Sequence, residues 1–237
     1  MLVAAAACPC PPLLVPEVAA GAAPELAAAR DACADALGVL AASRPDLLVV
    51  VGPAEDGGSY PEGTPGSFRG FGVDLGVRLG PGGTPSAPSQ RTLPPSLAVA
   101  AWLLERTDWS DTPVTGLAVA EPLTAERCRS AGAEAAGRAA RVALLVMGDA
   151  SACRTLKAPG YLDERAAGFD AEVARALGTA DVAALQALDA GLARELKASG
   201  RAPWQVLAGA AEEAELGGAL LYEDAPYGVG YVVAAWS

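Results

Sequence analysis

The sequence predicts an α/β fold: a single domain with a mainly parallel central sheet and helices on both faces. Three observations predict it. Two unbroken apolar runs, "LLVVVG" after Asp46 and "RVALLVMGD" at 141–149, read as strands covered on both faces. Helical periodicity separates the strand-like segments, which is the pattern of βαβ units. With 237 residues, 52% of them hydrophobic, the chain has enough material for one large core.

The elements follow in order. "MLVAAAA" reads as a first buried strand, weakened by its alanines. Residues 22–43 read as a helix, because Leu26, Ala29, Cys33, Leu37 and Leu40 recur at three and four. "LLVVVG" is the second strand. Residues 53–70 form a long Gly- and Pro-rich loop, and 80–95 a second Pro/Gly/Ser-rich surface loop. Between them, "FGVDLGVRL" alternates like a strand. A helix is expected at about 95–106, a strand at "PVTGLAVA", a helix at 124–140 and a buried strand at "RVALLVMGD". Glu134 and Arg138 are spaced for an i,i+4 pair. Residues 162–214 read as several helical pieces punctuated by Gly200 and Pro203. "GALLYEDAPYGVGYVVAAW" closes the chain as two strands around a turn. The whole, 1–237, reads as one domain.

Composition excludes several functions. The formal charge is −11, and no basic stripe carries interleaved aromatics, so neither nucleic acid nor an anionic membrane surface is an expected partner. No apolar run approaches the roughly 20 residues of a membrane span. Cysteines 8, 10, 33, 128 and 153 are odd in number and irregular in spacing, which argues for a reducing cytoplasm. The opening "MLVAAAAC" lacks the basic start and the length of a usual signal peptide. Only two basic residues, Lys157 and Lys197, are lysines; with abundant Ala, Gly and Pro this points to GC-rich bacterial codon usage.

There is no histidine. That removes Ser-His-Asp and Cys-His catalysis, the HExxH zinc helix and histidine-liganded iron. Cys8 and Cys10, two apart, would face one way if the strand continues. They make half of a soft-metal site or simply two small buried hydrophobes. Acidic residues gather at the carboxyl ends of expected strands: Glu55 and Asp56, Asp149, then Glu223 and Asp224. There they either converge on one crevice or cap turns and helix starts.

Four segments in order resemble a known family, the B-type subunits of the class III extradiol ring-cleaving dioxygenases, in the Memo-like superfamily. They are "PCPPLLVPE" at 9–17, "VVVGPAEDG" at 49–57, "MGDASACR" at 147–154 and "YEDAPYGVGYVVA" at 222–234. The family's first strand leaves through Pro-His-Pro-Pro, its second ends in Ser/Gly-Pro-His, and a later one in Asp-x-Ser-His. The resemblance implies a ferrous ion held by two histidines and a carboxylate, with a further histidine as acid/base. Carried across, the ligand histidines fall on Cys10 and Ala54, the acid/base histidine on Ala152 and the carboxylate on Glu223. The stiff proline corner then still presents residue 10 to the crevice although the imidazole is gone.

Cys10 and Glu223 remain the candidate metal ligands, and Glu55, Asp149 and Ser151 are candidate lining residues, with Tyr60 and Phe68 either covering the crevice or anchoring their loop. Two readings stay open. One is a catalytically degenerate relative that needs no cofactor and binds a small molecule or a protein partner. The other is an enzyme, a ring-opening dioxygenase or one of altered chemistry, using Cys10 and carboxylates in place of histidines. A purely structural role would call for a homodimer or larger assembly.

Overall fold

Strands β1 (Leu2–Cys8), β2 (Leu47–Ala54) and β7 (Val142–Met147) are buried almost throughout, as their apolar runs require. The computed structural model describes residues 1–82, 91–107, 109, 110 and 112–237. Among these, seven strands form one mixed sheet. Its order is β3 (Gly58–Tyr60), β6 (Val114–Ala120), β2, β7, β1, β9 (Tyr231–Trp236), β8 (Gly218–Asp224). The central four, β6, β2, β7 and β1, run parallel. β3 joins β6 antiparallel, and β9 lies antiparallel to both β1 and β8.

Alternation along each strand divides the core into two layers. Ala4, Ala6 and Cys8 of β1, Leu48 and Val50 of β2, and Leu145 and Met147 of β7 face α2 (Ala27–Ala42) and α3 (Pro95–Arg106). Ala5, Ala7, Val49, Val51, Leu144 and Val146 face the other layer. That layer holds α4 (Ala125–Ala136), α5 (Arg165–Gly178) and α8 (Arg201–Ala211), with short α6 (Val182–Gln186) and α7 (Ala190–Glu195) beside them. Helices therefore cover both faces of a single α/β domain. No helix among the described residues is long and apolar enough to cross a membrane.

Several boundaries differ from expectation. The helix expected over 22–43 follows a short α1 (Pro16–Ala19); its first residues belong to a 3-10 stretch, Ala20–Leu26, and it is α-helical from Ala27. Pro24 lies inside that stretch and has no N–H to donate. The apolar stripe itself is right: Leu26, Ala29, Cys33, Leu37 and Leu40 are all buried. The segment 53–70 is not one loop. It contains the last two residues of β2, then β3, then β4 (Pro65–Ser67), which pairs with β5 (Gly76–Arg78) as a small separate sheet. The strand expected over 71–79 is thereby cut to three residues. Of the second expected loop, 83–90 lie outside the described residues. The helix expected to reach 140 stops at Ala136 beside Gly137, and Arg138 still pairs with Glu134 at 3.6 Å.

Close helix contact depends on glycine. A Cβ on Gly132 of α4 would lie 2.0 Å from the Val206 carbonyl oxygen of α8, and one on Gly209 would lie 2.2 Å from the Arg129 carbonyl oxygen. Both clashes are with backbone, so neither can be relieved by turning a side chain. Gly132→Ala is expected to lose about 2–3 kcal/mol in urea unfolding, as overpacked cores do. A loss below about 0.5 kcal/mol would contradict this packing.

Candidate functional site

The exits of β1 and β2 lead to helices on one face of the sheet, while β7, lying between them, sends its chain to the other face. Two neighbouring parallel strands that part in this way leave a crevice at their carboxyl ends, where α/β proteins place ligands.

The β1 exit is shaped by prolines. Pro11 is extended (φ −67°, ψ 138°), and Pro12–Leu14 form a 3-10 turn closed by Leu14 N–H donating to the Pro11 carbonyl at 2.9 Å. Leu14 and Val15 are fully buried and pin the corner to the core. Cys10 sits in this corner. Its backbone N–H donates to Asp149 Oδ1 at 2.8 Å, across the crevice from the β7 exit. Asp149 in turn donates its N–H to Ser199 Oγ at 3.1 Å and accepts from Gly200 N–H at 2.9 Å. A Cβ on Gly148 would lie only 2.4 Å from Gly200 Cα, so this junction closes because both residues are glycine. The β1 exit, the β7 exit and the α7–α8 junction are thus tied at one point.

Burial dominates the electrostatics here. It pushes the Cys10 thiol well above its ordinary value; the charge of Asp149 adds to the rise, and a hydrogen bond with Ser199 opposes it. Burial also pushes the Asp149 carboxyl up to about 7, although the Cys10 N–H stabilises the anion. Tyr231 is buried nearby, and burial together with Asp149 raises its phenol. Cys10 is therefore a protonated thiol at neutral pH, and such a thiol is a weak nucleophile. All five cysteines are free and buried. Iodoacetamide at pH 7.5 is expected to leave Cys10 unmodified in the folded protein and to alkylate it in urea, as read by peptide mass mapping. Rapid native labelling would show an accessible thiolate instead.

The expected site residues do not all meet. Cys10 and Ala54 line one cavity of about 630 Å³, together with Glu55, Tyr60, Leu93 and Ser96. Asp149 touches its edge through the Cys10 amide. Ala152 lines no part of that cavity; its N–H donates to the Leu196 carbonyl at the end of α7. Ser151 is turned inward, fully buried, and gives both its N–H (2.8 Å) and its Oγ–H (2.9 Å) to Asp170, which also pairs with Arg154 at 3.0 Å. Glu223 is exposed on β8, opposite Val232 of β9. Two strand spacings separate β8 from β1 and four separate it from β2, about 10 and 19 Å. Glu223 therefore cannot share a metal with residues 10 and 54. Phe68 is fully buried and anchors its loop, while Tyr60 both packs and lines the cavity.

These residues do not fit a ferrous ion. A facial triad wants two imidazoles and a carboxylate. The positions offer one buried, protonated thiol and two methyl groups, and Asp149 Oδ1 is engaged by an amide. Among the described residues no group of three or more cysteine, aspartate or glutamate side chains is arranged to hold a metal.

On the far side of the β2 exit lies a second cavity of about 570 Å³, which shares Pro53, Ala54 and Glu55 with the first. Its other wall comes from the end of α7 and the β6 exit, with Arg194, Lys197 and Ser199 against Glu121 and Pro122. Sequence reasoning missed this wall. One signal was available, since Lys197 is one of two lysines in the chain.

The fold has a solved counterpart. It is similar to the uncharacterized protein JW3007 from Escherichia coli K12, with a TM-score of 0.54 over 99% of each chain at 13% identity. At that identity the likeness is one of fold. No protein-family model and no curated protein matches the chain.

Proposed function

We propose that this chain is a non-catalytic relative of the class III extradiol dioxygenases, akin to their B-type subunits, and that it binds a small molecule in the crevice without iron chemistry. The observation that carries this reading is the meeting of Cys10 and Ala54 in one cavity of about 630 Å³. Two exits that resemble the family's ligand-bearing segments open there, and neither carries an imidazole. The same crevice lies beside the sheet's switch point, where a ligand is favoured on topological grounds alone. The raised thiol of Cys10 works against the alternative in which that residue serves as nucleophile.

The test has two arms. Protein expressed in iron-supplemented medium is assayed for metal content and for oxygen uptake with a panel of catechols; sub-stoichiometric iron and no uptake are expected. Tightly held stoichiometric iron with turnover would overturn the proposal. In the second arm a small-molecule panel is screened by thermal shift. A ligand at a hundred times its Kd stabilises by about 2.7 kcal/mol, and Ala54→Trp, which fills the cavity mouth, should abolish the shift. Shifts that persist in Ala54→Trp would place binding elsewhere.

A further inference from the structure

The second cavity has a chemistry of its own. Its floor is apolar, made by Pro53, Ala54, Pro122 and Ala198. Arg194 and Lys197 stand at its wall, both exposed at their outer ends. Among the described residues, neither is within ion-pair distance of a carboxylate, although seven other arginines are. Among the described residues, Lys197 Nζ donates only to the Pro159 carbonyl, at 3.3 Å.

The carboxylates of the same cavity do not use these cations. Glu121 is already held by the buried guanidinium of Arg201, at 3.1 Å. Glu55 stands at the β2 exit, on the opposite wall. With Glu121 and Arg201 cancelling each other, the cavity keeps one surplus positive charge. The chain as a whole carries −11. Two unpaired cations over one apolar floor, in so acidic a protein, mark a place for an anion.

We propose that this cavity takes the anionic head of an otherwise apolar organic acid. Arg194 and Lys197 receive the head, and the apolar body lies over Pro53 and Ala54 toward the Cys10 cavity. The proposal rests on the reading that the crevice accepts a small molecule, and it names which kind.

A matched pair of fluorescent probes tests it: 8-anilinonaphthalene-1-sulfonate, an apolar body with one negative charge, and N-phenyl-1-naphthylamine, the same body without the sulfonate. The sulfonate is expected to bind with one-to-one stoichiometry and at least about tenfold more tightly than the neutral amine. R194Q/K197Q should weaken the sulfonate about tenfold and leave the amine unchanged. Raising the salt concentration should weaken the sulfonate on the native protein but not on the variant. If the double variant fails to fold, each single variant gives the same comparison at a smaller change.

Equal affinity for the two probes, or a sulfonate affinity untouched by R194Q/K197Q, would overturn the anion site and leave the crevice reading standing. If neither probe binds, the anion site falls and the crevice reading stands on its own panel; if both bind as well to Ala54→Trp, the two proposals fall together.

Discussion

Replacing Arg201 by alanine is expected to cost about 3–5 kcal/mol of folding stability, the usual penalty for stranding the partner of a buried charge. Arg201 is only 2% exposed. It opens α8, where the helix dipole disfavours a cation, so its neighbours must compensate. They do so fully. Nη1 donates to the Leu123 carbonyl at 2.7 Å and to Gln205 Oε1 at 3.0 Å. Nε donates to Glu121 Oε1 at 3.2 Å, and Nη2 to the Glu121 carbonyl. Gln205 is fixed in turn by the Gln186 and Leu188 carbonyls.

Truncation would leave the Glu121 carboxyl, which burial already raises and Arg201 pulls down, without its countercharge. Glu121 Oε2 is enclosed and, among the described residues, has no hydrogen-bond partner. Urea unfolding at pH 7 measures the loss. Arg201→Ala in an E121Q background should cost less than in the native one, because the stranded charge is then absent. A loss under about 1 kcal/mol for Arg201→Ala would show that the network contributes little.

The second expectation concerns pH. Asp149 titrates near 7 in the folded protein, against an ordinary 3.8. Between those values the folded state keeps a proton that the unfolded chain has released. Stability from this group is therefore complete below about pH 4 and is lost as pH rises toward 7, by up to about 4 kcal/mol. Asp149→Asn keeps an oxygen for the Cys10 amide and cannot ionise. The variant should match the wild type near pH 4 and be more stable by a few kcal/mol at pH 8. Urea titrations of both proteins at pH 4, 5, 6, 7 and 8 read the difference, which cancels every other titrating group. A difference that does not grow with pH would mean that Asp149 is ionised throughout.

The two variants probe opposite ends of one crevice. Arg201 supports the Glu121 wall beside the anion cavity, and Asp149 joins the Cys10 corner to the α7–α8 junction. Stability and ligand binding in these variants are therefore best measured together.

Much of this architecture was legible in the residues. Short continuous apolar runs bounded by turn residues read as strands covered on both faces, and β2 and β7 are such strands. The stripe from Leu26 to Leu40 required one buried face on its helix, and α2 has it. The prolines around Cys10 dictate a tight corner because they restrict φ and withhold amides. The small strands β3 and β4 were not legible. Each is three residues long, and each exists because a partner strand supplies hydrogen bonds to a segment whose composition reads as loop; β5, the hairpin partner of β4, is what remains of the strand expected over 71–79.

By itself the sequence determined the α/β class, the burial of the central strands and the absence of any imidazole from the chemistry. Only the tertiary structure decided which chain exits meet. Motifs in sequence order assigned Cys10, Ala54 and Ala152, with Glu223 as the less closely matched carboxylate, to one centre. The sheet order kept Cys10 with Ala54, set Glu223 on the far strand and directed the β7 exit so that Asp149, not Ala152, reaches Cys10. The reason is that strand order arises from pairings between segments far apart in the chain. Which edges meet is settled by the packing of two helical layers, a cooperative property that no local pattern of residue types encodes.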